Sequence, residues 1–316
     1  MRDNLTVPVP IGISVIVPVY QSKESLVELC GRISNVLSNQ DYEIILIDDG
    51  SKFETWEVVL NLAHQDERIT GIRLSRNYGQ HSALLAGIRA ASYSITVTID
   101  DDLQNPPEEI PRLLAELLEK QLDIVYGRPE RVNDKRTRII GGRVIRILMK
   151  TLLGVEQAEA ASSFRAFSTR LRDGFSEDMG PNVSIDAVLS WSSNNVGSVV
   201  VSHDVRKNGK SNYSFRKLLN FASDTITGYG IVPLQLATGV GVLAIIFGFG
   251  LLMFLGIQRL IVDSPAPGFT LLASIITIFS GIQLMILGLI GEYLGRMHYR
   301  IMRKPSYVIR ESTSVK

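Results

Sequence analysis

The sequence has little cysteine and little net charge: Cys30 is its single cysteine, and 33 basic residues stand against 32 acidic ones. One cysteine excludes an internal disulfide framework and is typical of a protein in a reducing compartment. We expect Cys30 to be a small buried apolar side chain. A formal net charge of +1 gives no basic field of the kind that nucleic-acid-binding proteins present. We therefore expect no nucleic-acid partner.

A secretory signal is also missing from the first ten residues. Prolines, Arg2 and Asp3 stand there in place of the continuous apolar core that defines a signal peptide. We therefore expect the N-terminal part of the chain to stay in the cytoplasm.

Two long segments contain no charged residue, namely 231–257 and 269–290. Each exceeds the roughly 20 residues that a helix needs to cross the hydrocarbon layer, and their glycines suit close helix packing in lipid. Two buried helices of a large soluble core are the alternative, but such helices rarely lack every charge over this length. The pattern favours a two-helix transmembrane hairpin.

The flanking charges predict the orientation of the hairpin. Basic residues precede the first segment and follow the second, whereas the loop between them carries only Arg259, which Asp263 offsets. The flanking basic residues are Arg206, Lys207, Lys210, Arg216 and Lys217 before the hairpin, and Arg296, Arg300, Arg303 and Lys304 after it. By the positive-inside rule both ends face the cytoplasm.

Residues 12–127 alternate between short apolar runs and amphipathic stretches with helical spacing. The predicted strands are GISVIVPVY, YEIILIDDGS, ITGIRLS, SITVTIDDD and DIVYG. Because these runs are apolar throughout, we expect strands that are buried on both faces. Repeated strand and helix predict a doubly wound, mainly parallel α/β (Rossmann-like) sheet, which binds ligands at the carboxyl ends of its strands.

Residues 212–230 connect this domain to the first apolar segment. One helical face there is apolar and another is polar: Phe215, Leu218, Leu219, Ala222 and Ile226 against Arg216, Lys217, Asn220 and Ser223. The pattern suits a helix lying in the membrane surface, although an ordinary packed helix has the same pattern. The predicted division is a cytoplasmic domain (1–211), a juxtamembrane amphipathic helix (212–230), and the hairpin with a cytoplasmic tail (231–316).

Acidic residues end two of the predicted strands: Asp48 with Asp49, and Asp100 to Asp102. In an extended strand Asp100 and Asp102 point the same way. With the carbonyl of Gln104 they offer hard oxygen ligands of the kind that Mg²⁺ or Mn²⁺ takes beside a diphosphate. A solvated loop is the alternative for any lone acidic triplet. The next residues predict a helix start, with Asn105 as N-cap and Glu108 as its partner.

Several motifs together resemble one family. They are PVY (18–20), IDDGS (47–51), DDDLQNPPE (100–108), FRAF (164–167), KNGKSNYS (207–214) and GEYLGR (291–296). The chain is similar in these motifs to the family-2 glycosyltransferases of GT-A fold. Within them it resembles the polyprenyl-phosphate glycosyltransferases, such as dolichyl-phosphate mannose synthase and the bacterial undecaprenyl-phosphate glucosyl- and aminoarabinose-type transferases. RNYGQHSALLAG (76–87) is most like the aminoarabinose-type branch.

The resemblance implies a role for each matching residue on the donor side. Pro18 and Tyr20 would border the nucleobase and Asp49 would hydrogen-bond it. The metal would be held by Asp100, Asp102 and Gln104, with Asp102 as the direct ligand. The remaining donor-side residues are Asn77, Gln80, His81 and Asp101. His81 has a structural alternative, because a lone histidine at this position equally suits the first turn of the next helix.

The resemblance also implies an acceptor side. The lipid phosphate would be bound by Arg128, Arg138, Arg206, Lys210, Ser211 and Tyr213. The chain departs from the family in the acceptor loop, where Glu159 stands in place of the usual aspartate and Ser162-Ser163 in place of a glycine. Glu159 is predicted as a catalytic residue together with Asp102, and its extra methylene leaves the acceptor geometry open.

The reaction implied by the resemblance is sugar transfer from a nucleotide-sugar, UDP-linked by similarity to the bacterial branch, to undecaprenyl phosphate. A phosphate monoester is already largely anionic at neutral pH, so it can attack the anomeric carbon without a strong base, and attack from the opposite face inverts that centre. The product would be a lipid-linked sugar for cell-envelope or lipopolysaccharide assembly at the bacterial inner membrane. The resemblance also favours a homo-oligomer, a tetramer.

Two other readings compete with this one. A processive polysaccharide synthase of the same fold usually carries Q-x-x-R-W, but neither Trp56 nor Trp191 follows an arginine. A non-catalytic membrane scaffold that binds a nucleotide-sugar or lipid is consistent with the altered acceptor loop. The intact acidic triplet argues against it, since a scaffold has no need of carboxylates placed around a metal.

Overall fold

The computed structural model describes residues 12–129, 162–175, 184–204, 268–302 and 305–313, together with scattered residues between 237 and 257. The chain divides into two compact units, one formed by residues 1–214 and 303–316 and the other by residues 215–302. Arg138, Glu159, Arg206, Lys210, Ser211 and Tyr213 lie outside the described residues, as does the predicted amphipathic helix.

A mixed sheet forms the centre of the first unit. Its strands are β1 (Ile13–Val19), β2 (Tyr42–Asp48), β3 (Ile69–Leu74), β4 (Ile95–Thr98), β5 (Ile124–Pro129), β6 (Arg165–Ser168), β7 (Val196–Val201) and β8 (Ile309–Ser312). Across the described residues the order is β7-β5-β6-β4-β1-β2-β3-β8. Strands β4, β1, β2 and β3 run parallel, and β5 pairs in parallel with β7. Strands β6 and β8 run antiparallel to their neighbours.

Helices cover both faces of this sheet, in agreement with the predicted doubly wound α/β fold. They are α1 (Lys23–Val36), α2 (Phe53–Gln65), α3 (Gln80–Ala90), α4 (Ile110–Glu119) and α5 (Ile185–Ser192). Alternate residues of β1 show the two layers, because Val15 and Val17 pack in one apolar cluster with α1, α2 and α4 while Ile16 packs in the other with α3 and α5. All are fully buried, which is why the strands read as uninterrupted apolar runs.

The five strands predicted from the sequence are all present. The sequence analysis did not foresee β6, β7 or β8, and of these β8 pairs antiparallel with β3 at the edge of the sheet. Its residues follow the apolar segments in the chain, yet they belong to the first compact unit. An edge strand is otherwise an open row of unpaired backbone groups, so β8 also covers the edge that β3 would expose.

The second unit contains the long helix α6 (Gly268–Ile301). Large apolar side chains are exposed along it, among them Leu272, Leu284 and Leu287, with exposed fractions of 58%, 70% and 67%. In the part of the chain that the structure describes, no helix combines the length and hydropathy required for a membrane span. The transmembrane hairpin therefore stays a prediction.

Candidate active site

One cavity collects the predicted donor-side residues at the carboxyl ends of the parallel strands. Its volume is about 460 Å³. It is lined by Pro18, Val19, Tyr20, Asp49, Asn77, Gly79, Gln80, Asp100, Asp101, Asp102 and Gln104. Every residue predicted for the donor or the metal is in this set except His81. The site lies where a parallel α/β sheet is expected to bind its ligand.

A tight turn after β2 forms one wall of the cavity. Asp48, which is fully buried, accepts a hydrogen bond from the backbone N–H of Ser51 at 3.0 Å. Gly50 adopts φ +68°, and a Cβ there would lie 2.6 Å from the backbone nitrogen of Asn77. Glycine is required for both reasons, since other residues rarely adopt this φ and no side chain fits against the neighbouring loop. The turn and the loop after β3 are therefore in backbone contact.

Asp49 organises the loop that follows β3. Its two carboxylate oxygens accept hydrogen bonds from the backbone N–H groups of Tyr78 and Gly79, at 2.7 and 2.8 Å. Burial raises the pKa of Asp49, the two backbone N–H groups lower it, and nearby Asp48 raises it further, so the net shift is upward. A carboxylate has lone pairs beyond these two bonds, so Asp49 can position the loop and still face a ligand.

The acidic triplet forms a turn rather than a continuation of β4. Leu103 adopts φ +60°, a left-handed conformation that is uncommon for a leucine. The backbone N–H of Gln104 donates to Asp102 at 3.1 Å. Asp100 accepts from the amide nitrogen of Gln80 at 2.7 Å and from the hydroxyl of Ser163 at 2.5 Å. Ser163 thus contacts the acidic turn from the segment where the family usually has glycine.

The three aspartates have different partners. Asp101 faces the loop after β1, where it accepts hydrogen bonds from the Ser22 hydroxyl and from the backbone N–H of Tyr20 at 3.2 Å. Burial raises the pKa of Asp101 to about 6, against the two hydrogen bonds that lower it, and its two neighbouring aspartates raise it further. Asp101 therefore fastens the Tyr20 loop to the acidic turn. Sequence reasoning had grouped it with the donor-binding residues without this role.

The acidic turn fits a divalent cation that shares its ligands with a substrate. The described residues contain no group of three or more His, Cys, Asp or Glu side chains placed to hold a metal ion, so the chain alone does not form a closed cage. Mg²⁺ and Mn²⁺ accept hard oxygen ligands, and Mg²⁺ usually takes one or two carboxylates together with substrate phosphates. Asp100, Asp102 and Gln104, which line the same cavity, have this composition.

A buried arginine lies behind the acidic turn, and sequence reasoning missed its role. Arg165, the first residue of β6, is 1% exposed. It forms an ion pair with Asp186 of α5, and its Nε donates to the hydroxyl of Thr98 at 3.2 Å. Although burial lowers the pKa of Arg165, Asp186, Tyr126 and Asp100 raise it, and the net direction is upward. The permanent cation offsets the negative charge of the turn from inside the protein.

His81 lies near Arg165 and Asp186 and does not line the cavity. Its Nδ1 accepts a hydrogen bond from the backbone N–H of Ile185 at 3.4 Å. Burial lowers the pKa of His81, Asp186 raises it, and Arg165 lowers it, with a net downward shift. His81 lies in the first turn of α3, as its structural alternative has it, and its ring connects this turn to the start of α5.

The end of β7 contacts the acidic turn from another side. The backbone N–H of Asp204 donates to the carbonyl of Gln104 at 2.9 Å, and the ring of His203 lies 3.4 Å from Oδ1 of Asn105. The predicted capping role of Asn105 is wrong, because Pro106 is the N-cap of the short helix Pro107–Glu109. Glu108 instead pairs with Arg32. Asn105 is buried against the segment that leads to the predicted acceptor residues.

Arg128 is the one predicted acceptor residue within the described part of the chain. It lies near the carboxyl end of β5 and is exposed. It does not line the cavity.

Comparison with known proteins assigns this chain to a family. The sequence profile described as glycosyl transferase family 2 matches residues 14–177, and the chain belongs to this family. An undecaprenyl-phosphate 4-deoxy-4-formamido-L-arabinose transferase of Proteus mirabilis is 34% identical over 96% of this chain and 94% of its own length. The enzyme of the same name from Photorhabdus laumondii is 34% identical over 95% and 93%. The predicted resemblance to family-2 polyprenyl-phosphate glycosyltransferases is confirmed.

Solved structures share the fold. Glucosyl-3-phosphoglycerate synthase from Mycobacterium tuberculosis, in complex with Mn²⁺, uridine diphosphate and glucosyl-3-phosphoglycerate, aligns with a TM-score of 0.50 at 20% identity. The alignment covers 69% of this chain and 78% of that one. At this identity the likeness supports the Rossmann-like GT-A sheet, and the chemistry of the present site depends on its own residues.

Proposed function

We propose that the protein transfers a sugar from a nucleoside-diphosphate sugar, UDP-linked, to undecaprenyl phosphate with inversion of the anomeric centre. The observation that carries the proposal is the cavity at the carboxyl edge of the sheet, where the acidic turn, the Asp49 turn and Tyr20 line one space. The names of the two relatives, which match along almost the whole chain, favour a sugar of the 4-deoxy-4-formamido-L-arabinose type over a hexose.

The nucleoside end of the donor is assigned to the side of the cavity lined by Pro18, Tyr20 and Asp49. Tyr20 is 50% exposed, so its ring is available to pack against a base. Asp49 supplies acceptor lone pairs beside the loop it fastens. Asn77 and Gln80 line the wall between this side and the acidic turn and are assigned to the sugar or ribose.

The diphosphate end is assigned to Asp100, Asp102 and Gln104 with a divalent cation, Mg²⁺ or Mn²⁺. When bound, the cation stabilises the negative charge that develops on the leaving diphosphate. The chain's own part is to hold these oxygens in place: Gln80 and Ser163 orient Asp100, and the backbone of Gln104 orients Asp102. Such preorganised positioning is a large source of rate in phosphoryl and glycosyl chemistry.

The acceptor end is assigned to Arg128 and to five residues outside the described part of the chain, Arg138, Arg206, Lys210, Ser211 and Tyr213. Glu159, which also lies outside the described residues, is assigned a catalytic role in the acceptor loop. The hydrogen bond from Asp204 to Gln104 supports the second half of this set, because Arg206, Lys210, Ser211 and Tyr213 follow closely after Asp204 in the chain. A lipid phosphate bound there approaches the turn that holds the diphosphate.

Attachment to the bacterial inner membrane is part of the same proposal. Segments 231–257 and 269–290 contain no charge, and large apolar side chains of α6 are exposed. Both features support burial of this unit in lipid, as a polyprenyl acceptor would demand. The homotetramer stays a prediction.

The test is sugar transfer to undecaprenyl phosphate by the purified full-length protein, from a panel of radiolabelled UDP- and GDP-sugars with Mn²⁺ or Mg²⁺. A matched pair of variants accompanies the wild type: Asp102→Asn in the acidic turn and Asp123→Asn outside the cavity. We expect transfer from one donor, lost with EDTA and in Asp102→Asn but retained in Asp123→Asn. Nucleotide binding with no transfer from any donor would exclude the enzymatic proposal for these substrates and favour a scaffold.

A further inference from the structure

Arg73 is a buried cation in β3 with partners on several sides. It is 7% exposed. Its Nε lies 3.1 Å from Oδ2 of the fully buried Asp48, as an ion pair without hydrogen-bond geometry. One Nη donates to the carbonyl of Ser51 at 3.2 Å, and the guanidinium lies 5.6 Å from the centre of the Trp56 ring. Arg73 therefore stabilises the Asp48–Ser51 turn through its contacts with both ends of that turn.

The other Nη of Arg73 faces the carboxy-terminal strand. It lies 3.1 Å from Oε1 of Glu311 in β8. Arg73 and Glu311 are register partners on the two neighbouring strands.

Strand β8 is held beside β3 by further contacts. The N–H of Gly71 donates to the Thr313 hydroxyl at 2.8 Å, and the N–H of Ser75 donates to the Val308 carbonyl at 2.9 Å. Arg89 donates to the hydroxyl of Tyr307 at 3.3 Å.

The turn that Arg73 supports connects three loops of the cavity. The hydroxyl of Ser51 accepts from the backbone N–H of Gln21 at 3.0 Å, which holds the loop after β1. Asp49, next in the turn, holds the loop after β3 through Tyr78 and Gly79. Displacing the turn would therefore displace the walls assigned to the nucleoside, while the acidic turn keeps further support from Ser163 and from the backbone N–H of Gln104.

We propose that Arg73 is a positioning residue for the donor-nucleotide side of the site and that β8, through Glu311, completes its set of partners. The strand that follows the apolar segments thus sets nucleotide affinity from outside the cavity. The inference rests on the proposed function only for the identity of the ligand, because the loop geometry is independent of it. A planar guanidinium suits this position, since its three nitrogens contact two carboxylates and a carbonyl in fixed directions.

The first test compares Glu311→Gln with Arg310→Gln, a change at the neighbouring residue of the same exposed strand, which lies at the irregularity in the register between β3 and β8. We expect Glu311→Gln to raise the Kd for UDP with Mn²⁺, measured by calorimetry, and the KM for the donor by about two- to fivefold, the range of a partly exposed ion pair. The kcat should stay within about twofold, because Ser163 and the backbone N–H of Gln104 still hold Asp100 and Asp102. Arg310→Gln should match the wild type.

The second test removes the cation. Arg73→Lys keeps the charge but loses the fork, and we expect it to weaken UDP binding by about tenfold. Because Arg73→Met alone leaves Asp48 buried without a counter-charge, it is made together with Asp48→Asn so that a folded protein is obtained. This double variant should bind UDP at least as weakly as Arg73→Lys, with kcat again less affected than KM.

A measurement that needs no ligand separates this inference from the proposed function. Amide hydrogen exchange of Gln21, Ser51, Tyr78 and Gly79 should accelerate in Glu311→Gln and Arg73→Lys but not in Arg310→Gln. If the wild type binds no nucleotide while these amides respond as expected, the proposed ligand is wrong and the positioning network stands. If the amides and the UDP affinity of Glu311→Gln both equal those of Arg310→Gln, the inference is overturned.

Discussion

Two cavities lie at opposite ends of the sheet, and the larger one is not the candidate site. A cavity of about 760 Å³ opens at the amino ends of β1 and β4, beside Gly12, Ile13, Ser94 and Ile95, and leucines of and after α4 line much of it. The cavity of about 460 Å³ lies at the carboxyl ends. The two share strands β1 and β4 and differ in the charge that the sheet brings to each end.

Charge is compensated in the larger cavity and concentrated in the smaller one. Asp123 in the larger cavity pairs with Arg170 at 2.5 Å and accepts from Ser193 at 2.6 Å, and these contacts lower its pKa. Four aspartates line the smaller cavity, and among its described lining residues there is no lysine or arginine. Four carboxylates gathered in one cavity are costly to desolvate, and they indicate a cationic ligand more specifically than volume does.

The largest expected effect of a substitution comes from the acidic turn. We expect Asp102→Asn to lower sugar transfer about 100- to 1,000-fold, as loss of one preorganised charge-stabilising group does elsewhere. Steady-state transfer assays with the purified protein would measure it. Retention of more than a tenth of the wild-type rate would contradict the role of Asp102, and loss of activity in Asp123→Asn would remove the contrast between the two cavities.

Arg165 should contribute most to stability among the charged residues near the site. Arg165→Met leaves Asp186 without its partner, and we expect a loss of about 3 kcal/mol in the free energy of unfolding. Arg170→Met, which removes an exposed arginine at the other cavity, should cost about 1 kcal/mol or less. Urea unfolding in detergent would compare the two variants, and equal losses would show that burial of Arg165 has no special weight.

The larger cavity should matter for stability without affecting catalysis. Leu117 is 4% exposed in the apolar core beside it, and Leu117→Ala should cost about 2 to 3 kcal/mol by removing buried methyl groups. The KM for donor should stay that of the wild type. A donor KM changed severalfold in this variant, measured well below its unfolding temperature, would mean that the two ends of the sheet are coupled.

The smallest expected effect is the pH dependence that His81 contributes. Burial lowers its pKa below the ordinary 6.5, so between the two values the unfolded chain binds a proton that the folded chain does not. Stability from this group is therefore lost as the pH falls below about 6.5. The Tm should fall less between pH 7.5 and 5.5 in His81→Gln than in the wild type. An equal fall in both would contradict a lowered pKa of His81 in the folded protein.

Local pattern was sufficient for the parts of the fold that consist of consecutive residues. Strands β1 to β5 are apolar runs, and acidic clusters follow two of them, β2 and β4, so both the sheet and the position of the cavity follow from the sequence. Strand β6 lies between β4 and β5, and β8 lies beside β3. These pairings join distant residues, and no periodicity within four-residue strands indicates their partners.

The individual roles of neighbouring aspartates were equally hidden from the sequence. Asp48 is buried against Arg73, whereas Asp49 lines the cavity. Asp101 faces Ser22, whereas Asp100 accepts from Gln80 and Ser163. Adjacent side chains separate in this way because the backbone turns, as at Gly50 and Leu103, and a turn's direction depends on contacts with other loops. The resemblance to a family located the site, and the structure assigns each carboxylate its partner.

The position of β8 has a consequence for the order in which the protein is made. Gly71 and Thr313, which are hydrogen-bonded, are 242 positions apart. At ordinary rates of about 5 to 20 residues per second, the ribosome reaches the second about 10 to 50 seconds after the first. During that interval the edge of β3 has no strand beside it and Arg73 lacks Glu311. The nucleotide side of the site is therefore completed by a strand that is translated long after β3, so a chain terminated before β8 would carry an unfinished sheet edge that is prone to pair with other chains.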